Sequence, residues 1–456
     1  MKVIDFKNAS CKHCYKCVRS CSVKAIKVKD AQATIMDDHC VLCGTCLEVC
    51  PQNAKTFVSD LEKVRAFITM GEKTIVSLAP AYLGIFDYDK PGQVVDALLR
   101  LGFSEVRETA EGAAYVTEAY TRLLEEGQMK NIISTCCPSV NELVEKYYPE
   151  LAEYMAPVVS PMIAHGKLIK SMYGPDVKVV FVGPCIAKKQ EAEGDDRTTG
   201  FVDAVLNFEE IESWLQERDI SIRECEEKQP ANPDPKVNRL YPVTSGVISS
   251  VLAKKKVDSY KKIFVDGIED CREVFEDMKK GLIEGCFIEA NMCEGGCVKG
   301  PAVNKLHISK YKATMVIEEQ VEKQDPAYPQ LAEDIDISKH FRSERIQDEM
   351  PTEEQITWIL KATGKYNKTQ ELNCGACGYP TCRDKAIAVF QGKAEQEMCL
   401  PHVYEKARSM SNVVLEATPE IVLIVDSAFQ IIEFNKRAED VFGINKSEAV
   451  NKMIFE

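Results

Sequence analysis

The segment Lys178-Val-Val-Phe-Val-Gly-Pro-Cys185 decides the fold class of this chain. An unbroken apolar run closed by Gly and Pro is typical of a strand that is buried on both faces of a parallel sheet. A cysteine follows this strand directly. Because ligands of open α/β sheets gather beyond the carboxyl ends of the strands, Cys185 is a candidate ligand residue.

Further segments repeat this pattern. Short apolar runs end at Pro80, at Cys136-Cys137-Pro138 and at Cys293, and helix-period segments open at Pro91 and Pro138 between them. Strands that alternate with helices predict a parallel α/β sheet. We therefore expect Cys137, Cys185 and Cys293 to lie at one edge. Gly295 and Gly296 allow a tight turn from Cys293 to Cys297.

Two N-terminal cysteine groups share the spacing C-x2-C-x2-C-x3-C. This is the spacing of bacterial two-cluster ferredoxins, in which the fourth cysteine of each group binds the other cluster. Zinc is the alternative, but a third cysteine at this spacing is not typical of a zinc ribbon. The predicted [4Fe–4S] ligand sets are Cys11, Cys14, Cys17 and Cys50 for one cluster, and Cys40, Cys43, Cys46 and Cys21 for the other.

A later cysteine group predicts a further [4Fe–4S] cluster, with ligands Cys374, Cys377, Cys382 and Cys399. Gly375 and Gly378 lie inside its loop, and the nearby His402 keeps zinc as an alternative. Cys225, Cys271 and Cys286 belong to no motif, and we expect them to be small buried apolar residues.

Composition excludes several classes of protein. The chain has 456 residues and a net charge of −14, which argues against a general nucleic-acid binder. The sequence shows neither a membrane-spanning segment nor a signal peptide, so we expect a cytoplasmic protein. In a reducing compartment the 20 cysteines are expected to be metal ligands or catalytic thiols. No NAD or ATP phosphate loop is present.

Three loops together resemble the signature loops of the [FeFe]-hydrogenases. They are Ser-Thr-Cys-Cys-Pro at 134–138, Gly-Pro-Cys-Ile-Ala-Lys-Lys at 183–189 and Glu-Ala-Asn-Met-Cys-Glu-Gly-Gly-Cys at 289–297. They occur in the family's order after a two-cluster ferredoxin segment, and the similarity extends from residue 1 to about 345. The fold expected from it is an α/β core of two parallel-sheet lobes with the cofactor between them, preceded by an α+β ferredoxin-like domain.

The resemblance implies an H-cluster, which is a [4Fe–4S] cubane joined to a diiron unit with CO, cyanide and a bridging amine-dithiolate. Cys137, Cys185, Cys293 and Cys297 would hold the cubane, and Cys297 would also bridge to the diiron unit. Lys188 matches the lysine that hydrogen-bonds a cyanide, and Cys136 matches the thiol that exchanges protons with the amine. A solvated lysine and a structural thiol are the alternatives.

The chain also departs from the family. The usual Met-Glu-Glu of the proton wire reads as Val116-Thr-Glu-Ala-Tyr120, and the wire's serine is Ala156, which cannot relay a proton. Glu118 and Glu289 are candidate substitutes, with surface and structural roles as alternatives. Around the expected diiron site, the residues that differ from the family are Ala81, Met162, Gly183 and Asn291.

The C-terminal third resembles a sensory extension. Thr352 and Gln355 form a predicted capping box, Gly364 fits a helix C-terminus, and the residues after 409 look like the start of a PAS domain that is too short to be whole. The expected domains are a ferredoxin-like domain at 1–60, an H-cluster domain at 61–345, a linker at 346–372, a small helical cluster module at 373–408 and a truncated PAS domain at 409–456.

Three hypotheses of function follow. The preferred one is a sensory-type [FeFe]-hydrogenase of an anaerobe that cleaves H2 reversibly but slowly and passes its redox state to the PAS segment. The alternatives are a metabolic, ferredoxin-linked hydrogenase and a hydrogenase-like iron–sulfur assembly protein without the diiron unit. The expected partners are H2 and protons, an electron carrier such as ferredoxin, a signalling protein such as a kinase or phosphatase, and a second copy in a homodimer. Neither nucleic acid nor membrane is expected as a partner.

Overall fold

The structure is a computed structural model that describes residues 2–6, 10–303, 308–322, 329, 331 and 334–455. The chain divides into two compact units. The first contains the residues up to Lys27 together with Gln32–Asp348, and the second contains Val28–Ala31 together with the residues from Glu349 onward.

The N-terminal cysteine groups lie among short elements. Most of these cysteines lie in the loops between the elements, whereas Cys17 and Cys46 lie in the two short helices. Strands β1 and β4 are antiparallel, with Ile4 opposite Phe57. The elements are β1 (Ile4–Phe6), α1 (Lys16–Ser20), β2 (Ile26–Lys29), β3 (Gln32–Ile35), α2 (Thr45–Glu48) and β4 (Lys55–Phe57).

A four-stranded parallel sheet forms the larger lobe of the first unit. Its order is β6-β5-β8-β9, and every residue of its central strand β5 is buried, as the apolar runs predict. The strands are β5 (Thr74–Leu78), β6 (Glu105–Glu108), β8 (Lys178–Gly183) and β9 (Ala204–Asn207).

A three-stranded parallel sheet forms the smaller lobe, in the order β10-β11-β7. Its core includes Ile288 together with Leu143 and Phe275 from the covering helices. The strands are β7 (Ile132–Ile133), β10 (Lys261–Asp266) and β11 (Cys286–Asn291).

Helices cover both sheets. Those that matter most for the site are α7, which begins at Pro138 directly after Cys137, and α8, which begins at Pro161. Pro is favourable at a helix start because the N–H it lacks would have no partner in the helix. The helices are α3 (Leu61–Thr69), α4 (Tyr82–Ile85), α5 (Gly92–Arg100), α6 (Ala110–Glu126), α7 (Pro138–Tyr147), α8 (Pro161–Tyr173), α9 (Ala187–Lys189), α10 (Phe208–Glu217), α11 (Gly246–Lys254), α12 (Ile268–Lys279) and α13 (Lys310–Glu322).

The second unit is mainly helical. The Thr352–Gln355 capping box is present, and Gly364 follows the first helix with a φ of +74°. A short antiparallel hairpin and the helix after it lie where the sequence predicts the start of a PAS domain. The elements are α14 (Glu353–Ala362), α15 (Cys382–Phe390), α16 (Leu400–Ala417), β12 (Leu423–Val425), β13 (Ile431–Phe434), α17 (Lys436–Phe442) and α18 (Lys446–Ala449).

The predicted α/β core with two lobes of parallel sheet is confirmed. Among the residues that the structure describes, no helix is both long and apolar enough to cross a membrane.

Candidate functional site

The cysteine-bearing loops meet around two adjoining cavities. A cavity of about 80 Å³ is lined by Cys136, Cys137, Cys185 and Cys297. A neighbouring cavity of about 40 Å³ shares these four residues and adds Cys293. The loops after β7, β8 and β11 therefore bring together the cysteines that the sequence analysis singles out.

Backbone N–H groups surround two of these thiols. The Sγ of Cys137 accepts from Met292, Ser139 and Val140, the last two in the first turn of α7. The Sγ of Cys185 accepts from two backbone N–H groups of α9. Helix N-termini favour negative charge, so these donors stabilise thiolates. In the chain without a metal, burial raises the pKa of Cys185 to about 11.

The donor set fits a cubane. Four thiols from three loops line two adjoining cavities, and a [4Fe–4S] cluster binds each cysteine at a different iron. Within the ranges that the structure describes, no three His, Cys, Asp or Glu side chains converge as ligands of one metal ion. The four cysteines are thus arranged around a volume and not around a single point.

Lys188 lies in the wall of both cavities and is buried. Its Nζ donates to Glu191 Oε2 at 2.7 Å and to the carbonyl of Cys136 at 3.3 Å. Burial alone would lower the pKa of Lys188, but Glu191 and Cys185 outweigh it and raise the pKa. The cavity therefore contains a fixed ammonium, the donor that an anionic ligand requires.

The thiol of Cys136 contacts a tyrosine. The hydroxyl of Tyr120 lies 3.2 Å from Cys136 Sγ and also accepts the backbone N–H of Thr135 at 2.8 Å. Burial raises the pKa of Cys136 to about 12, although the hydrogen bond with Tyr120 and the charge of Lys188 act in the opposite direction. Cys136 is thus a protonated thiol at neutral pH with a hydroxyl beside it.

Three of the four residues that differ from the family pattern line the larger cavity, namely Ala81, Met162 and Asn291. Gly183 lies just behind this wall. A Cβ at Gly183 would come within 2.6 Å of the Phe181 ring, so a larger side chain requires Phe181 to move. Phe181, which lies two residues earlier on the same strand, therefore fills this part of the wall.

The two candidate proton-route glutamates have different surroundings. Glu118 forms ion pairs with Arg122 and Lys254 on the outer face of α6. Glu289 is fully buried, accepts the backbone N–H of Ile248 at 2.9 Å and the side chain of Asn291 at 3.2 Å. Burial raises its pKa to about 7. Of the two, only Glu289 has a partner in the cavity wall, Asn291.

One N-terminal cysteine group lies beside the central cavities. Cys21 interacts electrostatically with Cys40 and Cys43, and all three interact with Cys46. Cys43 also lines the smaller cavity together with Cys293. Lys146 of α7 donates to the carbonyl of Cys40 at 2.9 Å. This group therefore lies next to the smaller of the two central cavities.

The other N-terminal cysteines lie near the short helices. Cys11 and Cys14 precede α1, Cys17 lies within it, and Cys50 follows α2. The Sγ of Cys50 accepts the backbone N–H of Ala54 at 3.4 Å.

In the second unit, Cys374, Cys377, Cys382 and Cys399 line a cavity of about 270 Å³. His402 is also in its wall. Two buried lysines reach this cavity: Lys365 Nζ lies 3.3 Å from Cys399 Sγ, and Lys385 interacts electrostatically with both Cys399 and Cys377. Positive charge thus compensates the thiolates that a cluster requires.

Sequence reasoning missed several residues at the cavity. Tyr120 ends the stretch that is compared with the family's proton wire, and that comparison does not predict that its hydroxyl contacts Cys136. Glu191 follows Lys188 by three residues, a spacing that brings side chains together on a helix and could have indicated the pair. Thr109 and Tyr241 carried no signal, because they enter the wall from other elements.

Family models match four parts of the chain. The one described as the iron-only hydrogenase large subunit, C-terminal domain, matches residues 72–301, just over half of the chain. The chain belongs to this family. A 4Fe-4S dicluster domain matches residues 10–54, an iron–sulfur cluster family matches 370–401, and the PAS fold matches 410–456.

Individual proteins are similar at lower identity. Iron hydrogenase 1 of Clostridium pasteurianum is 26% identical over 394 residues, which covers 62% of this chain and 68% of that protein. The periplasmic [Fe] hydrogenase large subunit of Nitratidesulfovibrio vulgaris is 28% identical over 267 residues, 46% of this chain and 61% of that protein. A solved structure of the [FeFe]-hydrogenase HydA1 from Chlamydomonas reinhardtii is 18% identical, covers 63% of this chain and all of that one, and has a TM-score of 0.49.

Proposed function

We propose that this protein is an H2-binding [FeFe]-hydrogenase of the sensory type, with low turnover. The observation that carries the proposal is the meeting of four cysteines, Cys136 and Lys188 around one pair of adjoining cavities. The cofactor that fits is the H-cluster, which when bound supplies an electrophilic iron and a basic amine for the heterolytic cleavage of H2.

The residues of the chain have distinct roles in this proposal. Cys137, Cys185, Cys293 and Cys297 hold the cubane, and backbone donors to Cys137 and Cys185 stabilise the thiolate charge. Lys188, which Glu191 keeps charged and in place, donates to an anionic cyanide. Cys136 carries a proton at Sγ and has the Tyr120 hydroxyl beside it, 3.2 Å away.

We expect slow turnover because the residues around Cys136 do not continue the family's proton route. A tyrosine, whose hydroxyl is a far weaker acid than a carboxyl group, contacts Cys136, and Ala156 offers no hydroxyl to continue a wire. Buried Glu289, with a pKa raised to about 7 by burial, could hold or release a proton at neutral pH. Glu118 is paired with Arg122 and Lys254 on an outer helix face, which does not favour it as a relay.

Electron transfer is proposed to begin at the cubane and continue through the cluster of Cys21, Cys40, Cys43 and Cys46. The support is Cys43, which lines the same cavity as Cys293. Cys11, Cys14, Cys17 and Cys50 hold a second cluster, and Cys374, Cys377, Cys382 and Cys399 hold a third. The PAS segment then passes redox state to a signalling partner, such as a kinase or phosphatase.

Infrared spectroscopy of the anaerobically matured protein tests the proposal. Bands of metal-bound CO and cyanide are expected, together with H2 oxidation far slower than that of a metabolic hydrogenase. Cys297→Ala should abolish the bands, whereas Cys136→Ala should keep them and lose turnover. Cys225→Ala is the matched control. Cys225 is a buried cysteine that lines neither cavity, and its thiol donates to the carbonyl of Ser221.

Two results would favour the other hypotheses. Fast turnover would identify a metabolic, ferredoxin-linked enzyme. A matured protein that contains iron and sulfide but shows no CO or cyanide bands would be an iron–sulfur protein without the diiron unit.

A further inference from the structure

A chain of buried polar side chains leads from the larger cavity toward the protein surface. Thr109 lines that cavity, and its Oγ1 lies 2.8 Å from Ser77 Oγ. Ser77 Oγ in turn lies 2.8 Å from His165 Nδ1. His165 Nε2 lies 3.1 Å from Glu111 Oε2, so no link exceeds hydrogen-bond length.

The far end of the chain reaches a second, smaller cavity. Glu111 lines it together with Ala114, Tyr115 and Pro235, and the carboxylate side chain is 10% exposed. His165 is fully buried, as is Ser77. The four side chains therefore form a continuous path from the cavity to the edge of the protein.

The hydrogen bonds have one consistent direction. The carboxylate of Glu111 only accepts, so Nε2 of His165 carries the proton that is donated to it. Nδ1 of the same ring is then an acceptor, and Ser77 donates to it. Ser77 in turn accepts from the hydroxyl of Thr109, which leaves a Thr109 lone pair available to accept a proton from the cavity side.

The end of the path is held rigidly. Arg107 donates to both carboxylate oxygens of Glu111, at 2.8 and 3.0 Å. Burial would raise the pKa of Glu111, but hydrogen bonds from His165 and Arg107 outweigh it and hold the pKa below its usual range. Glu111 is therefore ionised, accepts the hydrogen bond from His165, and as a weak base would readily pass a proton on to water.

The packing of two helices places the imidazole. Gly112 of α6 lies against α8, where an added Cβ would come within 2.7 Å of the Cβ of His165. The first turn of the same helix α8 supplies Pro161 and Met162 to the cavity wall. The helix that shapes the cavity thus also carries the histidine one turn further on.

We propose that Thr109, Ser77, His165 and Glu111 form a proton path between the larger cavity and the surface. This inference rests on the proposed function, since the proton that moves is the one released or consumed by H2 chemistry in that cavity. For release, each group accepts one proton and gives one up on its far side, and Glu111 delivers the last one to water. Uptake follows the same steps in reverse, and no electron or other reactant is needed.

Two variants interrupt the path differently. Ser77→Ala removes one oxygen and leaves the contact between His165 and Glu111 in place. His165→Gln keeps a polar side chain but cannot take up a proton at neutral pH. Ser250→Ala is the control, because Ser250 is an equally buried serine whose hydroxyl only donates to backbone carbonyls of Val237 and Gly246.

The matured proteins are compared by their infrared bands, by H2 oxidation and by the HD to H2 ratio formed from D2 in ordinary water. Each path variant is expected to keep the infrared bands and to lose at least about tenfold in H2 oxidation, since a missing acid–base group costs at least this much. The HD to H2 ratio should rise severalfold, because with slow proton exchange HD leaves the cavity before its second deuterium is replaced. Ser250→Ala should match the unchanged protein in all three measurements.

The possible failures are distinguishable. Suppose that the unchanged protein shows CO and cyanide bands and oxidises H2. If both path variants then match it in the rate of H2 oxidation and in the HD to H2 ratio, the path is wrong while the proposed function stands. If the unchanged protein shows no such bands, the proposed function fails first. Should His165→Gln not fold, the result for Ser77→Ala decides alone.

Discussion

Lys188 places one buried positive charge in the wall of the central cavities. Its partner Glu191 is only 2% exposed and also accepts from Ser160 Oγ at 2.9 Å. A buried ion pair adds little net stability, but removal of one partner leaves an uncompensated charge, which costs about 3–5 kcal/mol. Stability and ligand binding are therefore coupled at this residue.

Lys188→Met is expected to lower the melting temperature and to weaken or abolish the infrared bands of cyanide after maturation. The neighbouring Lys189→Met is the matched control, because Lys189 is also buried and pairs with Asp60 but does not line the cavities. Both variants should lose stability. If Lys189→Met changes the cyanide bands as much as Lys188→Met, Lys188 has no specific role toward the cofactor.

Tyr120→Phe tests the contact with Cys136. The change leaves the N–H of Thr135 without its acceptor, which should cost about 1–3 kcal/mol and lower the melting temperature. If the hydroxyl exchanges protons with Cys136, H2 oxidation should fall as well. Tyr260→Phe, which removes a hydroxyl that donates to the carbonyl of Met129, should lose stability only. Equal turnover in Tyr120→Phe and the unchanged protein would exclude the tyrosine from proton exchange.

At the scale of elements, the end of α14 and the start of α16 shape the C-terminal cluster site. Lys365 follows α14, and Cys399 immediately precedes α16. The ammonium of Lys365 also donates to the carbonyl of Thr363 at 2.9 Å, which fixes it near Cys399. Positive charge beside a cluster favours its reduced state, because reduction adds negative charge.

Lys365→Met is therefore expected to lower the reduction potential of the C-terminal cluster. A tenfold change in a one-electron equilibrium is about 59 mV, and we expect a shift of roughly this size. Potentiometric titration followed by electron paramagnetic resonance measures it. Lys361→Met, which removes an exposed lysine from the same helix, should leave the potential unchanged. A potential that is the same in Lys365→Met and the unchanged protein would contradict this assignment.

At the scale of the whole molecule, an ion cluster joins the two lobes of the first unit. Asp195 lies after α9 and pairs with Lys339 at 2.8 Å and with Arg197 at 2.7 Å. Arg197 also donates to Glu145 of α7, in the other lobe, at 3.0 Å. Burial would raise the pKa of Asp195, but Arg197 and Lys339 outweigh it and hold the pKa well below its usual range.

This shift predicts how stability depends on pH. A carboxyl group with a depressed pKa in the folded state stabilises the protein fully above its unfolded pKa of about 3.9, and the contribution is lost as pH falls below that value. The melting temperature should therefore fall steeply below about pH 4. Asp195→Asn should be less stable at neutral pH and flatten this dependence. Asp196→Asn, at an exposed pair with Arg342, should change neither.

The sequence by itself determined the parallel α/β class, the capping box at Thr352 and the grouping of the cysteines. These features depend on residues that are close in the chain, where apolar runs, proline and cysteine spacing dictate local structure. The mainly apolar runs of β5 and β8 also predicted strands that are buried on both faces of a parallel sheet.

Only the tertiary structure decided what surrounds the cavity. Tyr120 meets Cys136 because α6 packs beside the loop after β7, and His165 meets Glu111 because Gly112 lets α8 approach α6 closely. Cys43 joins the central cavities from a segment more than ninety residues away in the chain. Such contacts depend on how helices and loops pack against each other, and packing is not encoded in the spacing of any one segment.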